Sequence, residues 1–189
     1  MSATPTYITN LKVINEMTTS ANVGAKNGST VTVEEFGDPY NHVTKLTLVA
    51  TPVTLVANGA TSSGGGTLLY TCPVGLILPS GGTSDLTLTS AADLAYVAAV
   101  GSAAADTGTT LTGTEISFLP STAATTTSGA GTCKMKSTVS TPVPGAPLDG
   151  TSTAVKFYLN ACYNGDAQLG LALTFSGTIL IRWTFLGDN

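Results

Sequence analysis

From Thr30 onward, apolar and polar positions alternate in short runs separated by Gly, Pro and Asn, the signature of strands rather than helices. Thr30 to Glu34 alternates Thr and Val. Val43 to Ala50 sets Leu46 and Leu48 on one face and Lys45 and Thr47 on the other. Pro52 interrupts that run, and Val53 to Val56 resumes it before Asn58-Gly59, a tight-turn dipeptide. Gly64-Gly65-Gly66 leads into Thr67 to Cys72, and Pro73 leads into Val74 to Leu78. Pro79-Ser80-Gly81-Gly82 predicts a further turn ahead of Asp85 to Thr89. A short strand about every ten residues is the spacing of a sandwich or jelly roll.

The C-terminal segment carries the strongest pattern. Thr153 to Asn160 reads as a strand turned by Asn164-Gly165. Beyond it Leu169, Leu171, Leu173, Phe175, Ile179, Ile181, Trp183 and Phe185 all fall on odd positions. A two-residue Ser176-Gly177 hairpin would put Leu180 and Arg182 on the face of Leu173 and Phe175, against the period of two. One strand bent at Gly177 keeps the period, and so does a three-residue loop over Ser176 to Thr178. This segment is expected to be the core seam, anchored by Trp183, and loss of Leu180 to Asn189 is expected to abolish folding.

Three stretches read differently. Residues 1–30 are a polar arm in which Leu11, Ile14 and Met17 allow a helical turn or two; it ends in a hinge from Gly24 to Ser29. In residues 91–105 the helical spacing of Leu94, Val97 and Ala98 competes with the strand preference of Tyr96, Val97 and Val100, and strand or irregular structure is the reading. Residues 120–150 are low in complexity, and Pro142, Pro144 and Pro147 stiffen their end, which predicts long surface loops. The expectation is therefore all-β: an antiparallel, jelly-roll-like sandwich over residues 31–189, with an extended N-terminal arm over 1–30.

Composition supports this class. Charged residues are 10% of the 189, against roughly 25% in ordinary soluble domains. The Lys, Glu, Arg and Gln that usually cover helices are scarce, while Thr, Val and 21 Gly favour strands and turns. With seven basic residues there is little from which to build a phosphate-tracking patch, so nucleic acid is not an expected direct partner. No apolar run of about 18 residues exists, so no membrane is expected either. Met1 to Pro5 lacks the basic start and apolar run of a signal peptide, which predicts a cytoplasmically made protein.

Candidate chemistry is sparse. His42 is the single histidine, and no GxSxG elbow accompanies it. Glu34, Glu35, Asp38 and His42 cluster within nine residues and could form a divalent-ion site or an acid/base pair. Gly37-Asp38-Pro39 signals a turn, however, and a solvated turn is the favoured reading. Cys72, Cys133 and Cys162 are odd in number and lack a CxxC pair, so they are read as small buried apolar residues. Gly129 to Lys134 begins like a dinucleotide loop without its third glycine. The tyrosines, Tyr40, Tyr70, Tyr96, Tyr158 and Tyr163 among them, suit packing better than a sugar platform. No catalytic, cofactor-binding or metal-binding residue is assigned, and no cofactor is expected.

In order along the chain, Val33-Glu34-Glu35-Phe36-Gly37, His42 to Leu48, Leu69 to Gly75, Val100 to Ala103, Leu111 to Glu115, Tyr158-Leu159-Asn160 and Ser176 to Asp188 resemble a family of tailed-phage head decoration, or capsid cement, proteins. The resemblance covers roughly residues 30–188, and its weight lies in the order of short motifs. Cys72 stands where relatives would carry Phe. The resemblance implies a non-enzymatic virion protein that binds the major capsid protein on the outer capsid surface, commonly as a homotrimer, and stabilises the expanded shell. The family has no catalytic residues to transfer. A tail or fibre module binding host carbohydrate is the alternative, and it would require an exposed aromatic or acidic groove.

Overall fold

The structure, a computed structural model, describes residues 24–58, 62–92, 94–106, 110–127, 129–135, 147–164 and 172–187. These residues form twelve strands and one short 3-10 helix, Gly113–Ile116, and every strand pairing is antiparallel. One sheet runs β1 (Ala25–Lys26), β5 (Ser62–Thr71), β11 (Lys156–Asn164), β7 (Ala95–Gly101), β8 (Leu119–Thr125), with β4 (Val56–Asn58) also on β5. The other runs β10 (Leu148–Gly150), β6 (Gly75–Thr89), β12 (Ala172–Gly187), β3 (Asn41–Thr54), β2 (Val31–Gly37), with β9 (Ala130–Cys133) also on β6.

The partners β3–β12, β5–β11, β6 with β9 and β10, and β7–β8 nest inside one another along the chain. That is one long hairpin rolled across two sheets, the jelly-roll connection. Alternating side chains of both sheets meet between them: Leu46, Leu48, Ile179, Ile181 and Trp183 from one, Leu69, Phe157, Leu159 and Phe118 from the other side. Each such large side chain, when fully buried, contributes about 1.5–3 kcal/mol. Phe118 and Phe157 meet edge to face with ring centroids 4.5 Å apart.

The final strand is continuous from Ala172 to Gly187, and its odd-numbered residues Leu173, Phe175, Ile179, Ile181, Trp183 and Phe185 are buried, as the period of two requires. It bends at Gly177. The register against β3 shifts between Phe175 and Gly177, Gly177 has φ +130°, and a Cβ there would collide with the Asp85 carbonyl. Opposite the bend, Ala50 takes φ +46° and its N–H donates to Ser176 Oγ at 2.9 Å.

Several expected breaks are not breaks. Pro52 lies inside β3, beyond the last β2 partner Leu48, so its missing N–H falls where β3 has one paired neighbour. Pro79 to Gly82 is no turn: β6 runs through it, and a bulge between the partners of Arg182 and Trp183 takes up the extra residue. Gly64 to Gly66 is strand as well; a Cβ on Gly66 would strike Asn160 and the Ala104 backbone. The Ser/Thr/Ala tract read as loop contains β8 and β9, because it pairs with β7 and β6. The contested 91–105 stretch contains β7, and the strand read at Thr153 begins at Lys156. Residues 1–23 of the expected arm, the turn residue Gly59, Gly165 and the prolines 142 and 144 lie outside the described residues.

Candidate functional site

The four-residue acidic and histidine cluster divides along the strand period. Glu34 points outward from β2 and pairs with Lys45 Nζ at 2.6 Å. Asp38 is exposed in the β2–β3 turn, where Oδ1 accepts the N–H groups of Tyr40 and Asn41, both at 2.8 Å. The Asn41 N–H chiefly, with its side chain and Tyr40 N–H, holds the Asp38 carboxyl below the usual carboxylate range. For these two the solvated-turn reading fits.

Glu35 and His42 correct it. They are only 8% and 4% exposed, because β2 alternates Val31, Val33, Glu35 inward and β3 alternates His42, Thr44, Leu46 inward. Tyr70, from the opposite sheet, donates its hydroxyl hydrogen to Glu35 Oε1 and accepts the Gly24 N–H at 2.9 Å. Trp183 Nε1 donates to Thr44 Oγ1 at 2.8 Å, and Thr44 Oγ1 donates to Glu35 Oε1 at 3.4 Å. His42 stacks flat on Trp183, 4.0 Å between centroids and 5° between planes. Its Nε2 lies 3.2 Å from the Pro39 carbonyl and its Nδ1 3.5 Å from Glu35 Oε2. Neither Glu35 Oε2 nor His42 Nδ1 has a hydrogen-bond partner among the described residues, so this contact is the polar neighbour each has. The arrangement is an acid–base pair closed to solvent, and it ties β2, β3, β12, β5 and the residue preceding β1 together. The strand period places Glu35, His42, Thr44 and Trp183 inward; their meeting carries no local signal, since Tyr70 lies 35 residues from Glu35 and Trp183 139 from Thr44.

The thiols are equally enclosed. Cys72, Cys133 and Cys162 are buried and form no disulfide. Burial, with Glu35 nearby, pushes the Cys72 thiol well up; burial raises Cys133 to about 11 and raises Cys162. None is poised as a nucleophile. The Gly131 to Cys133 part of the glycine-rich stretch forms β9, not a phosphate loop.

The two outer sheet faces differ. On the β5–β11–β7–β8 sheet, residues 102–106 and 110–117 fold back as a flap and close a second small core of Ala99, Ala105, Leu111 and Cys162. Asn160, fully buried, fastens the flap: its Nδ2 donates to Ala103 O at 2.9 Å and Glu115 O at 2.8 Å, and its Oδ1 accepts Ala105 N–H at 2.8 Å. Sequence inspection missed Asn160; a polar residue between Leu159 and Ala161 in a strand was the available sign. The outer face of the β2–β3–β12–β6 sheet carries no such flap among the described residues. Near its end Tyr40, Val74 and Leu186 are exposed at 63%, 50% and 41%. Of the other tyrosines, Tyr70 and Tyr96 are buried, Tyr96 beside Ser90 Oγ at 2.7 Å.

A cleft of about 440 Å³ opens where the flap's start meets the β10–β11 connection, lined in part by Ser102, Asp149, Thr153, Lys156 and Tyr158. Asp149 is already engaged there by the Thr151 hydroxyl chiefly and its N–H, which lower its pKa. No group of three or more His, Cys, Asp or Glu residues placed to hold a metal ion occurs among the described residues. Comparison with protein-family models, with curated proteins and with solved structures gave no match.

Proposed function

We propose that this chain is a non-enzymatic structural protein that binds the outside of an expanded tailed-phage capsid and stabilises the shell. The observation that carries the reading is where the reactive groups go. Glu35, His42 and the three thiols are buried and spent on holding the sandwich together. What faces solvent is a β surface rich in Thr and poor in charge, which forms interfaces with little ion desolvation. The resemblance of the ordered motifs to those of decoration proteins points to the capsid as partner and a homotrimer as the assembling unit. Closed rotational symmetry limits further association, and many copies make individually weak contacts collectively strong.

Co-sedimentation of the purified protein with undecorated, expanded capsids tests this. Saturable binding near one copy per capsid subunit, with a raised capsid melting temperature, is the expected result. Absence of binding, with the protein on tails or host cells instead, would overturn it. The cleft beside Tyr158, Asp149 and Lys156 favours a second reading, a fibre-associated module that takes host carbohydrate. Glycan binding lost on Tyr158→Ala would select that reading.

A further inference from the structure

We infer that the outer face of the β2–β3–β12–β6 sheet is the contact surface, and that Arg182 at its centre docks against a carboxylate of a different protein. This rests on the capsid-binding reading and adds the face and the chemistry of the contact.

Register places the residues. Phe36 of β2 lies opposite Val43 of β3, Val43 lies opposite Arg182 of β12, and Arg182 faces Gly81 of β6. Directly opposed residues of an antiparallel pair share a face. Leu180, two residues along the same strand, and Leu78, opposite Thr184, flank that row. All four apolar neighbours are half-buried and Arg182 is exposed. Toward the strand ends the patch continues into the exposed Tyr40 and Leu186. The Phe185 N–H donates to the Tyr40 carbonyl, which sets Tyr40 beside the end of β12. Toward the other end the same face turns polar, with Thr32, Thr47, Thr178 and Asp85 in one row. Half-buried apolar side chains thus gather around one cation, while the exposed Val49 stands apart at the far end of β3.

That cation is unspent. Arg182 is the chain's single arginine, and its side chain makes no hydrogen bond or ion pair among the described residues. The other charges on the face are already paired, Lys45 with Glu34 and Lys134 with Asp85. A guanidinium is weakly hydrated, offers a planar fork to a carboxylate, and lays its stem along apolar neighbours. Arginine and aromatic residues are enriched at interface centres, where lysine is depleted. A second copy of this chain is a poor occupant. A two-fold contact centred on this face would bring two Arg182 side chains together, and the carboxylates on the face, Glu34 and Asp85, are already paired with lysines. The complementary surface is therefore an acidic one on another protein, in this reading the capsid subunit.

The test measures binding to undecorated, expanded capsids for Arg182→Glu, Arg182→Ala, Arg182→Lys and Leu186→Asp, with Ala123→Glu on exposed β8 as the control. Melting temperature and sedimentation equilibrium of each free variant check fold and oligomeric state. The expected result is a loss of affinity of about tenfold or more for Arg182→Glu and Leu186→Asp, less for Arg182→Ala, and partial retention by Arg182→Lys, which keeps charge without the fork. Ala123→Glu binds as the parent does. If every Arg182 and Leu186 variant binds like the parent, the face is wrong while capsid binding stands. If the parent itself does not bind, the capsid reading fails and this inference with it. If Arg182→Glu changes the oligomeric state, the face joins copies of the chain, and the inference is overturned.

Discussion

Asn160 offers a sharp test of how this sandwich is built. Replacing it with Ala removes three hydrogen bonds at once and leaves Ala105 N–H, Ala103 O and Glu115 O without their partner. A buried orphan costs about 1–3 kcal/mol. Ala105 is buried, whereas Ala103 and Glu115 are half-buried and recover water in part. The sum is about 2–4 kcal/mol, and it falls first on the flap rather than on the whole fold, because all three partners lie in residues 103–115. Cys162 reports it directly. Its thiol sits beneath the flap, whereas Cys72 and Cys133 belong to the main core. Pulsed labelling with a thiol reagent, where reclosing outruns the chemistry, should show Cys162 reacting about 30- to 900-fold faster in Asn160→Ala. Cys133 and Cys72 should change far less. Asn160→Asp keeps the acceptor for Ala105 but aims a carboxylate at two carbonyls, so it should be at least as damaging. If Cys162 labels no faster, or only in step with Cys133, the flap is not a separately fastened unit and the reasoning fails.

Other consequences are as direct. Tyr70→Phe deprives Glu35 of its donor from the opposite sheet and leaves the Gly24 N–H unpaired; a loss of about 1–3 kcal/mol in urea unfolding is expected, with faster amide exchange at Gly24. Gly177→Ala must hold φ +130° with a Cβ against the Asp85 carbonyl, and it should lose about 3 kcal/mol or fail to fold; near-neutral stability would contradict the bend. Asp38, whose folded pKa lies below 3.8, adds stability that is present above that value and lost as pH falls below it. Asp38→Ala should therefore narrow the stability difference between pH 6 and pH 3, and an unchanged acid profile would contradict the turn assignment.

Legibility in the sequence follows the reach of the interactions. β12 could be read residue by residue, since its inward positions are all apolar and one glycine carries the bend. Pro79 to Gly82 could not, because Pro and Gly mark turns and bulges alike, and only pairing with Arg182 and Trp183, about a hundred residues on, decides between them. The tract around β8 fails for the same reason: Ala, Ser and Thr carry weak preference, and β7 imposes the strand. Glu35 and His42 were legible in position but not in role. Their parity with Val31, Val33 and Leu46 points inward, yet polar letters at core positions imitate a solvated turn unless the partners are known. Tyr70 comes from the other sheet, and no local rule supplies it. The function has least local signal of all, since a contact surface such as the one proposed around Arg182 is defined by what no side chain within reach has claimed.

The rolled hairpin also sets when the protein can fold. β11 is the strand that joins β5 to β7, and β12 the one that joins β6 to β3. Each is synthesised after the strands it must unite, so on the ribosome β3 and β6 stand ready with no bridge between them. The first sheet cannot close until β11 has left the exit tunnel, nor the second until β12 has, and that last closure pairs residues as distant as Asn41 and Thr184. Such non-local pairing folds on the millisecond-to-second scale, with strand edges open meanwhile. Folding is therefore tied to completion of β12: ribosome-stalled chains ending before it should be protease-sensitive throughout, and slowed synthesis should lengthen the interval in which they aggregate.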